Sequence, residues 1–297
     1  MRQVPVQIAT PDSSTNVTEE VRRLLRAAGV KDELPTPKER ILACQRLVET
    51  GELDLAEYEA TLAETARDFF HRAASKIIGI FDRRTQIIYV DPHTHDSRKL
   101  FVTYHEVTHS ILGWQHIDLT QEDDKTLRPD CEELFEAEAN YGAADILFQC
   151  ERFESEARDY EVSLESTFHL ADRYNSSRHA ALRRFVERSN RPCALLVLTP
   201  TQREYSDGQK SYYVVYCIRS DSFIAEFGDE LDLIFINPSH DIGKVLNNGQ
   251  DGEAVLSDSR GFQRRCAVQV FYNSYKTFAM VYPRQTSRSR KIVRFTI

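Results

Sequence analysis

The chain has 297 residues, of which 41% are hydrophobic, and a formal net charge of −8 at pH 7. This length and composition favour a globular protein with two domains. No stretch approaches about 18 consecutive apolar residues and none follows the initial Met-Arg-Gln, so we expect no membrane partner, no secretory leader and a cytoplasmic location. Six widely spaced cysteines without a CxxC pair favour reduced thiols over a disulfide framework or a zinc knuckle.

Hydrophobic spacing predicts the first elements of the chain. Residues 17–28, 37–49 and 54–73 show the spacing of amphipathic helices. The period then changes, because apolar runs at 77–81 and 85–90 flank Asp-Arg-Arg, which predicts a β-hairpin. An exposed strand of this hairpin could hydrogen-bond an extended peptide.

The sequence His-Glu-Val-Thr-His at 105–109 follows this hairpin. Apolar residues at helical spacing predict a helix from about Arg98 to Leu112. On a helix, His105 and His109 share one face, so both imidazoles can bind one zinc ion while Glu106 lies beside it. The expected chemistry is peptide hydrolysis, with Glu106 as the general base. The group that stabilises the oxyanion is left open among Tyr141, His116 and Tyr174.

A zinc peptidase site needs a third protein ligand, and the best candidate is Glu136. It lies in the Ala- and Glu-rich segment 131–148, which predicts a second helix with Ala139, Ala143 and Leu147 as its close-packing face. Asn140, one turn after Glu136, could orient a histidine ligand through a hydrogen bond. By composition alone the rivals are Glu132, Glu133 and Glu138, although Glu138 points about 200° away from Glu136.

A separate hypothesis is that Cys131 holds the enzyme in an inactive state. It lies five residues before Glu136, in Arg-Pro-Asp-Cys at the expected entry to the second helix. A thiolate is a strong zinc ligand, so a mobile loop could place Cys131 in the open position of the metal and displace water. The alternative is a half-buried cysteine without a regulatory role.

The two motifs together resemble those of the ImmA/IrrE-type zinc metallopeptidases. The second motif begins 27 residues after His109 and reads Glu-Ala-Glu-Ala-Asn-Tyr-Gly-Ala-Ala at 136–144. It matches the family's Glu-x-x-Ala-Asn-x-x-Ala-Ala helix, so the resemblance implies Glu136 as third zinc ligand and Asn140 as its support. It covers about Gly79 to Arg188, where 170–185 resembles a helix-turn-helix-like pair. One departure is Leu-Phe-Gln at 147–149, where the family has Leu-Met-Pro.

This resemblance implies a fold class and a function. The fold is α+β: a mainly helical, zincin-like peptidase domain with N-terminal helices and a small hairpin sheet at 1–190, then a smaller GAF-like α+β domain at 191–297. The implied activity is cleavage of a helix-turn-helix transcriptional repressor, which induces a stress, DNA-damage, mobile-element or anti-phage programme. Single-stranded DNA is the activator suggested by the DNA-damage link.

The C-terminal region differs from the rest in charge. Residues 1–189 hold 24 Lys+Arg against 35 Asp+Glu, whereas residues 190–297 hold 14 against 11. No acidic residue occurs after Ser259, and aromatic residues alternate with the basic ones, as single-stranded nucleic-acid binding requires. The candidate contacts are Arg260, Arg264, Arg265, Lys276, Arg288, Arg290 and Lys291. Apolar runs predict strands at 194–198, 212–218, 231–236, 267–272 and 278–282.

Other classes of function stay open at this point. The chain could be a DNA-binding transcriptional regulator with a structural zinc site, in which residues 170–188 read a groove. It could also hydrolyse small peptides with a metal. The C-terminal domain could bind a small ligand, or it could only stabilise or dimerise the enzyme.

Overall fold

A computed structural model describes residues 11–31, 33–52, 79–115, 129–204 and 208–284, with the backbone alone at 129–132 and 201–204. The chain divides into two compact units. The helical unit comprises Ala9–Ser155 with Leu170–Ala180, and the sheet unit includes Glu156–His169 and Ala181–Ile297. The mixed α+β class is confirmed, whereas the GAF-like assignment stays a prediction.

Amphipathic helices begin the helical unit, as predicted. Its helices are α1 (Ser14–Ala27), α2 (Lys38–Gln45), α3 (Asp96–Ile111), a 3-10 turn (Gly113–Gln115), α4 (Pro129–Phe148) and α5 (Glu151–Ala157). Helix α2 is shorter than the predicted 37–49, because Arg46 has a left-handed φ of 56° that ends the helix. The helix predicted at 54–73 lies outside the described residues.

A small sheet lies beside α3. The predicted hairpin is confirmed as β2 (Gly79–Asp82) paired antiparallel with β3 (Ile87–Val90). The sequence did not predict β1 (Val48–Thr50), which pairs parallel with β3. The strand order β1-β3-β2 leaves β2 at one edge of the described sheet. Gly79 on this edge strand faces α3, since a Cβ there would lie 2.3 Å from Cγ1 of Val102.

Helices α3 and α4 approach each other closely. The face predicted for α4 is confirmed, since Ala139, Ala143 and Leu147 are buried. On the same helix, Gly142 lies against Thr108 of α3, and a Cβ on Gly142 would be only 2.4 Å from Cγ2 of the threonine. This contact brings the two backbones together at the level of the histidine motif.

The described part of the sheet unit contains six antiparallel strands in the order β6-β5-β4-β9-β8-β7. Their bounds are β4 (Ala194–Glu204), β5 (Lys210–Arg219), β6 (Phe235–Ile236), β7 (Gly252–Ser257), β8 (Gln263–Tyr272) and β9 (Thr277–Pro283). Helices α8 (Asp221–Phe227) and α9 (Asp241–Asn248) contribute to a core with these strands. Before the sheet, α6 (Leu164–Arg173) and α7 (Arg178–Glu187) form the helix pair expected around 170–185.

Four of the five strands predicted in this region are confirmed as β4, β5, β8 and β9. The strand predicted at 231–236 is wrong except for its last two residues. Leu231 has a φ of 76°, and the N–H of Asp232 donates to the carbonyl of Asp229 in a turn that precludes an extended strand there. No helix in the part of the chain described here has the length and apolar character needed to cross a lipid bilayer.

Replacement of Gly142 tests the close approach of α3 and α4. Gly142→Ala should destabilise the protein by about 1–3 kcal/mol, because the added methyl group overlaps the β-branched side chain of Thr108. The measurement is urea unfolding. Gly113→Ala is the matched control, since a Cβ there has no atom within 4 Å, and it should change the free energy of unfolding little. Equal stability of both variants would contradict this packing.

Candidate metal centre

Helix α3 brings two imidazoles together. The predicted helix 98–112 is confirmed with bounds Asp96–Ile111. His105 and His109 lie one turn apart, and their Nε2 atoms are 3.1 Å from each other. Their ring centroids are 4.8 Å apart, and the ring planes are nearly perpendicular, at 75°.

Glu136 of α4 completes a group of three. Its Oε2 lies 3.3 Å from Nε2 of His105, and its Oε1 lies 3.5 Å from Nε2 of His109. Zinc bonds of about 2.0–2.1 Å in a tetrahedron place neighbouring ligand atoms about 3.3 Å apart. The observed separations therefore fit one zinc ion, and two imidazole nitrogens with a carboxylate oxygen form a donor set of catalytic zinc sites.

The other nitrogen of each imidazole contacts an amide oxygen. Nδ1 of His105 lies 3.2 Å from Oδ1 of Asn140, the residue predicted to orient it. Nδ1 of His109 lies 2.7 Å from Oε1 of Gln115. Because amide oxygens only accept hydrogen bonds, Nδ1 is the protonated nitrogen when each imidazole is neutral, and in that form each Nε2 lone pair is available for a metal.

Sequence reasoning missed Gln115 and its hydrogen bond with Glu138. Gln115 lies in the 3-10 turn after α3, and its Nε2 donates to Oε2 of Glu138 at 2.7 Å. Glu138, considered above only as a rival ligand, is buried and directed away from the metal group. The sequence offered one signal, since a Glu two residues after the third ligand must face another side of the helix.

Glu106 lies beside the three candidate ligands on the side of the small sheet. It is buried, and its carboxylate accepts a hydrogen bond from the N–H of Phe81 on β2. Gly79 makes room for it, because a Cβ there would lie 2.8 Å from Oε1 of Glu106. Burial raises the pKa of Glu106 and outweighs the attraction of the two histidines. A raised pKa suits a carboxylate that must accept a proton.

Protonation of the histidine ligands competes with metal binding. Burial lowers the pKa of His109, but hydrogen bonds with Glu136 and Gln115 and the nearby carboxylates outweigh it, so the pKa lies above its usual value. Hydrogen bonds from His105 and His109 hold the pKa of Glu136 well below its usual range. Below its raised pKa, His109 also carries a proton on Nε2, where a metal would bind, and the metal must displace it.

The candidates for oxyanion stabilisation are partly resolved. Tyr174 is fully buried in an aromatic cluster with Phe148 and Phe153, so the structure contradicts an oxyanion role for it. Tyr141 is half-buried on α4, and His116 lies outside the described residues.

The backbone at Cys131 is helical. The loop expected there is instead the first turn of α4, which begins at Pro129. Five residues along a helix correspond to about 140° of rotation and about 7.5 Å of rise, so residues 131 and 136 lie on different faces. A bond from Cys131 to the metal of Glu136 would require this turn to unwind, and the switch stays a prediction.

The candidate nucleic-acid residues do not form one described surface. Arg264 contacts Glu226 at 3.0 Å, and Arg265 lies 3.9 Å from Glu253, so nearby carboxylates offset part of their charge. Arg260 precedes β8, whereas Lys276 follows it and donates to the Thr199 hydroxyl. Arg288, Arg290 and Lys291 lie outside the described residues, and the nucleic-acid role stays a prediction.

The helix pair with its His-Glu-x-x-His sequence and downstream Glu is the arrangement of a metallopeptidase centre. Residues 61–186 match the family model of the IrrE N-terminal-like domain, and this match supports an ImmA/IrrE-type metallopeptidase family. None of the curated proteins compared with the chain matches it. Among solved structures, a Mycobacterium tuberculosis transcriptional regulator is similar at 12% identity and a TM-score of 0.49, over 91% of this chain and 77% of that one.

Zinc affinity should depend on pH through His109. As the pH falls through its raised pKa, zinc must displace a more strongly held proton, and affinity should fall by up to about tenfold per pH unit for each proton displaced. Competition with a chromogenic chelator measures this. In Glu136→Gln the decline should begin at lower pH, because the charge that raises the His109 pKa is gone. Affinity that does not change with pH would contradict this description of the centre.

Proposed function

We propose that the chain is a zinc-dependent, gluzincin-like metallo-endopeptidase in which His105, His109 and Glu136 bind the zinc ion. The observation that carries the proposal is the convergence of these three side chains beside a buried Glu106. The match of residues 61–186 to a metallopeptidase family also supports it.

Glu106 is the general base and then the general acid. When bound, zinc would lower the pKa of a water molecule and polarise a peptide carbonyl. Glu106 takes the proton of the attacking water on its carboxylate and passes it to the leaving nitrogen. The N–H of Phe81 donates a hydrogen bond to this carboxylate, and burial raises its pKa, which favours proton uptake.

A structural zinc site in a DNA-binding regulator is the alternative. Structural zinc sites are closed by four protein ligands, whereas catalytic sites leave a position for water. The described residues around this group supply three ligands, and the Glu136 side chain is 61% exposed. An open position next to a buried carboxylate favours the enzyme.

The proposed substrate is a helix-turn-helix transcriptional repressor. This follows from the family, whose members are expected to cleave such repressors, and β2 offers a strand edge on the side of Glu106 for an extended peptide. Single-stranded DNA is included as an activator to be tested, because the resemblance implies a DNA-damage signal. In this proposal the sheet unit is the sensor.

The proposed activity predicts cleavage that depends on Glu106. The purified chain with zinc should cut a repressor encoded beside it, and Glu106→Gln should cut it about 10²–10⁴-fold more slowly, because the general base is lost. Intact mass spectrometry follows the products, with and without single-stranded DNA. Glu165→Gln, an exposed glutamate on α6, is the matched control and should cleave at the wild-type rate.

The outcomes separate the alternatives. Cleavage by wild type that Glu106→Gln loses, while it still binds zinc, supports the endopeptidase. Tight binding to a specific duplex that Glu106→Gln leaves unchanged, without cleavage, would favour the DNA-binding regulator. Stimulation by single-stranded DNA would support a sensing role, and an unchanged rate would remove that part of the proposal.

Gly79→Ala should separate catalysis from metal binding. The added methyl group overlaps Val102 and the Glu106 carboxylate, but it lies on β2 rather than on the helices of the three candidate ligands. We expect up to about 10²-fold slower cleavage with unchanged zinc affinity, because a small displacement of a catalytic group is costly. Parallel rate measurements and zinc titrations test this. Loss of zinc affinity in proportion to rate would show that Gly79 supports the metal group instead.

A further inference from the structure

Glu138 is a buried carboxylate with an unusual set of donors. Its side chain lies on α4, and the residue is 1% exposed. It accepts hydrogen bonds from Nε2 of Gln115 at 2.7 Å, from Nε1 of Trp114 at 2.9 Å and from the hydroxyl of Ser13. Burying a carboxylate is costly unless donors satisfy it, and these three supply that compensation.

The contact with Gln115 connects this carboxylate to the metal group. An ionised carboxylate only accepts hydrogen bonds, so Glu138 fixes the NH2 group of Gln115 on its own side. The amide oxygen of Gln115 then faces Nδ1 of His109, at 2.7 Å. An acceptor at this position holds the proton on Nδ1 and directs the Nε2 lone pair toward the metal.

We infer that Glu138 is a positioning residue for the zinc ligand His109, which it orients through Gln115. The inference rests on the metal centre of the proposed function but not on its substrate. Gln115 transmits the orientation because its two amide ends cannot be exchanged without setting an NH2 group against Nδ1–H. Glu138 itself does not touch the metal, the substrate or the reacting atoms.

Among the described residues, His105 has no counterpart to the Gln115–Glu138 pair. Its Nδ1 contacts Asn140, which is exposed, and within the described residues no buried carboxylate fixes the amide of Asn140. The two imidazoles are therefore held differently. Loss of Glu138 should affect the tautomer of His109 and leave that of His105 unchanged.

The first test compares two buried acids of the same helix. Glu138→Gln preserves shape but removes the charge that orients Gln115, and zinc affinity should fall about 10–100-fold. Asp145→Asn is the matched control, since Asp145 is also 1% exposed on α4 and accepts a hydrogen bond from Thr18 of α1 at 2.6 Å. It should lower the melting temperature without changing zinc affinity. Competition titration with a chelator and thermal unfolding give the two readouts.

A second variant covers the case in which Glu138→Gln does not fold. Gln115→Met keeps much of the side-chain volume and removes both hydrogen bonds of the relay. It should weaken zinc binding at least as much as Glu138→Gln. In the double variant the loss should equal that of Gln115→Met alone, because Glu138 acts on His109 only through Gln115.

Spectroscopy gives a signature that general destabilisation would not produce. In the metal-free wild type, at a pH where both imidazoles are neutral, nitrogen NMR should show both histidines protonated at Nδ1. In Gln115→Met and Glu138→Gln the His109 signals should report a mixture of tautomers, with the His105 signals unchanged. The visible spectrum of the cobalt-substituted protein should change in the same two variants and not in Asp145→Asn.

The inference would be overturned if Glu138→Gln or Gln115→Met bound zinc as tightly as the wild type. It would also be overturned if Glu138→Gln and Asp145→Asn lost the same zinc affinity, or if the losses of zinc affinity in the double variant were additive. Failure of the proposed function is distinguishable. A wild-type protein that binds zinc but cleaves no repressor leaves this inference intact, whereas one that binds no zinc removes both.

Discussion

The close approach of α3 and α4 is the constraint on which the centre depends. A metal bond is short, so side chains from two helices can reach one ion only if the helix backbones lie near each other. Gly142 against Thr108 allows this approach, and Ala139 and Ala143 extend the small-residue face along α4. The same packing brings Glu136 within 3.5 Å of both histidines. The packing of small residues between the two helices thus determines the distances between the three candidate ligands.

Different elements support the candidate metal ligands and the catalytic base Glu106. Helices α3 and α4 supply the three candidate ligands. The amide oxygen of Asn140 contacts the imidazole of His105, and that of Gln115 contacts the imidazole of His109. Glu106 lies on α3 but is held by β2, through the Phe81 N–H and the space at Gly79. Because different elements support the base and the metal, a change in the sheet edge can alter catalysis while the metal stays bound.

Much of the centre could be predicted from sequence because it depends on helical periodicity. The positions of His105 and His109, and the downstream Glu136, follow from residues spaced one turn apart on recognisable helices. The role of Gln115 could not be predicted, since it depends on how the 3-10 turn after α3 folds against α4. Strand β1 was missed for a related reason: three residues become a strand only by pairing with β3, about forty positions later in the chain.

X-ray absorption at the zinc edge tests the central claim most directly. The account predicts one zinc per chain, bound by two imidazole nitrogens and carboxylate or water oxygens at about 2.0–2.2 Å, with the histidine signal reduced in His105→Ala. Less than stoichiometric zinc in the wild type would contradict the account. So would a histidine signal that His105→Ala leaves unchanged, because the metal would then be bound elsewhere.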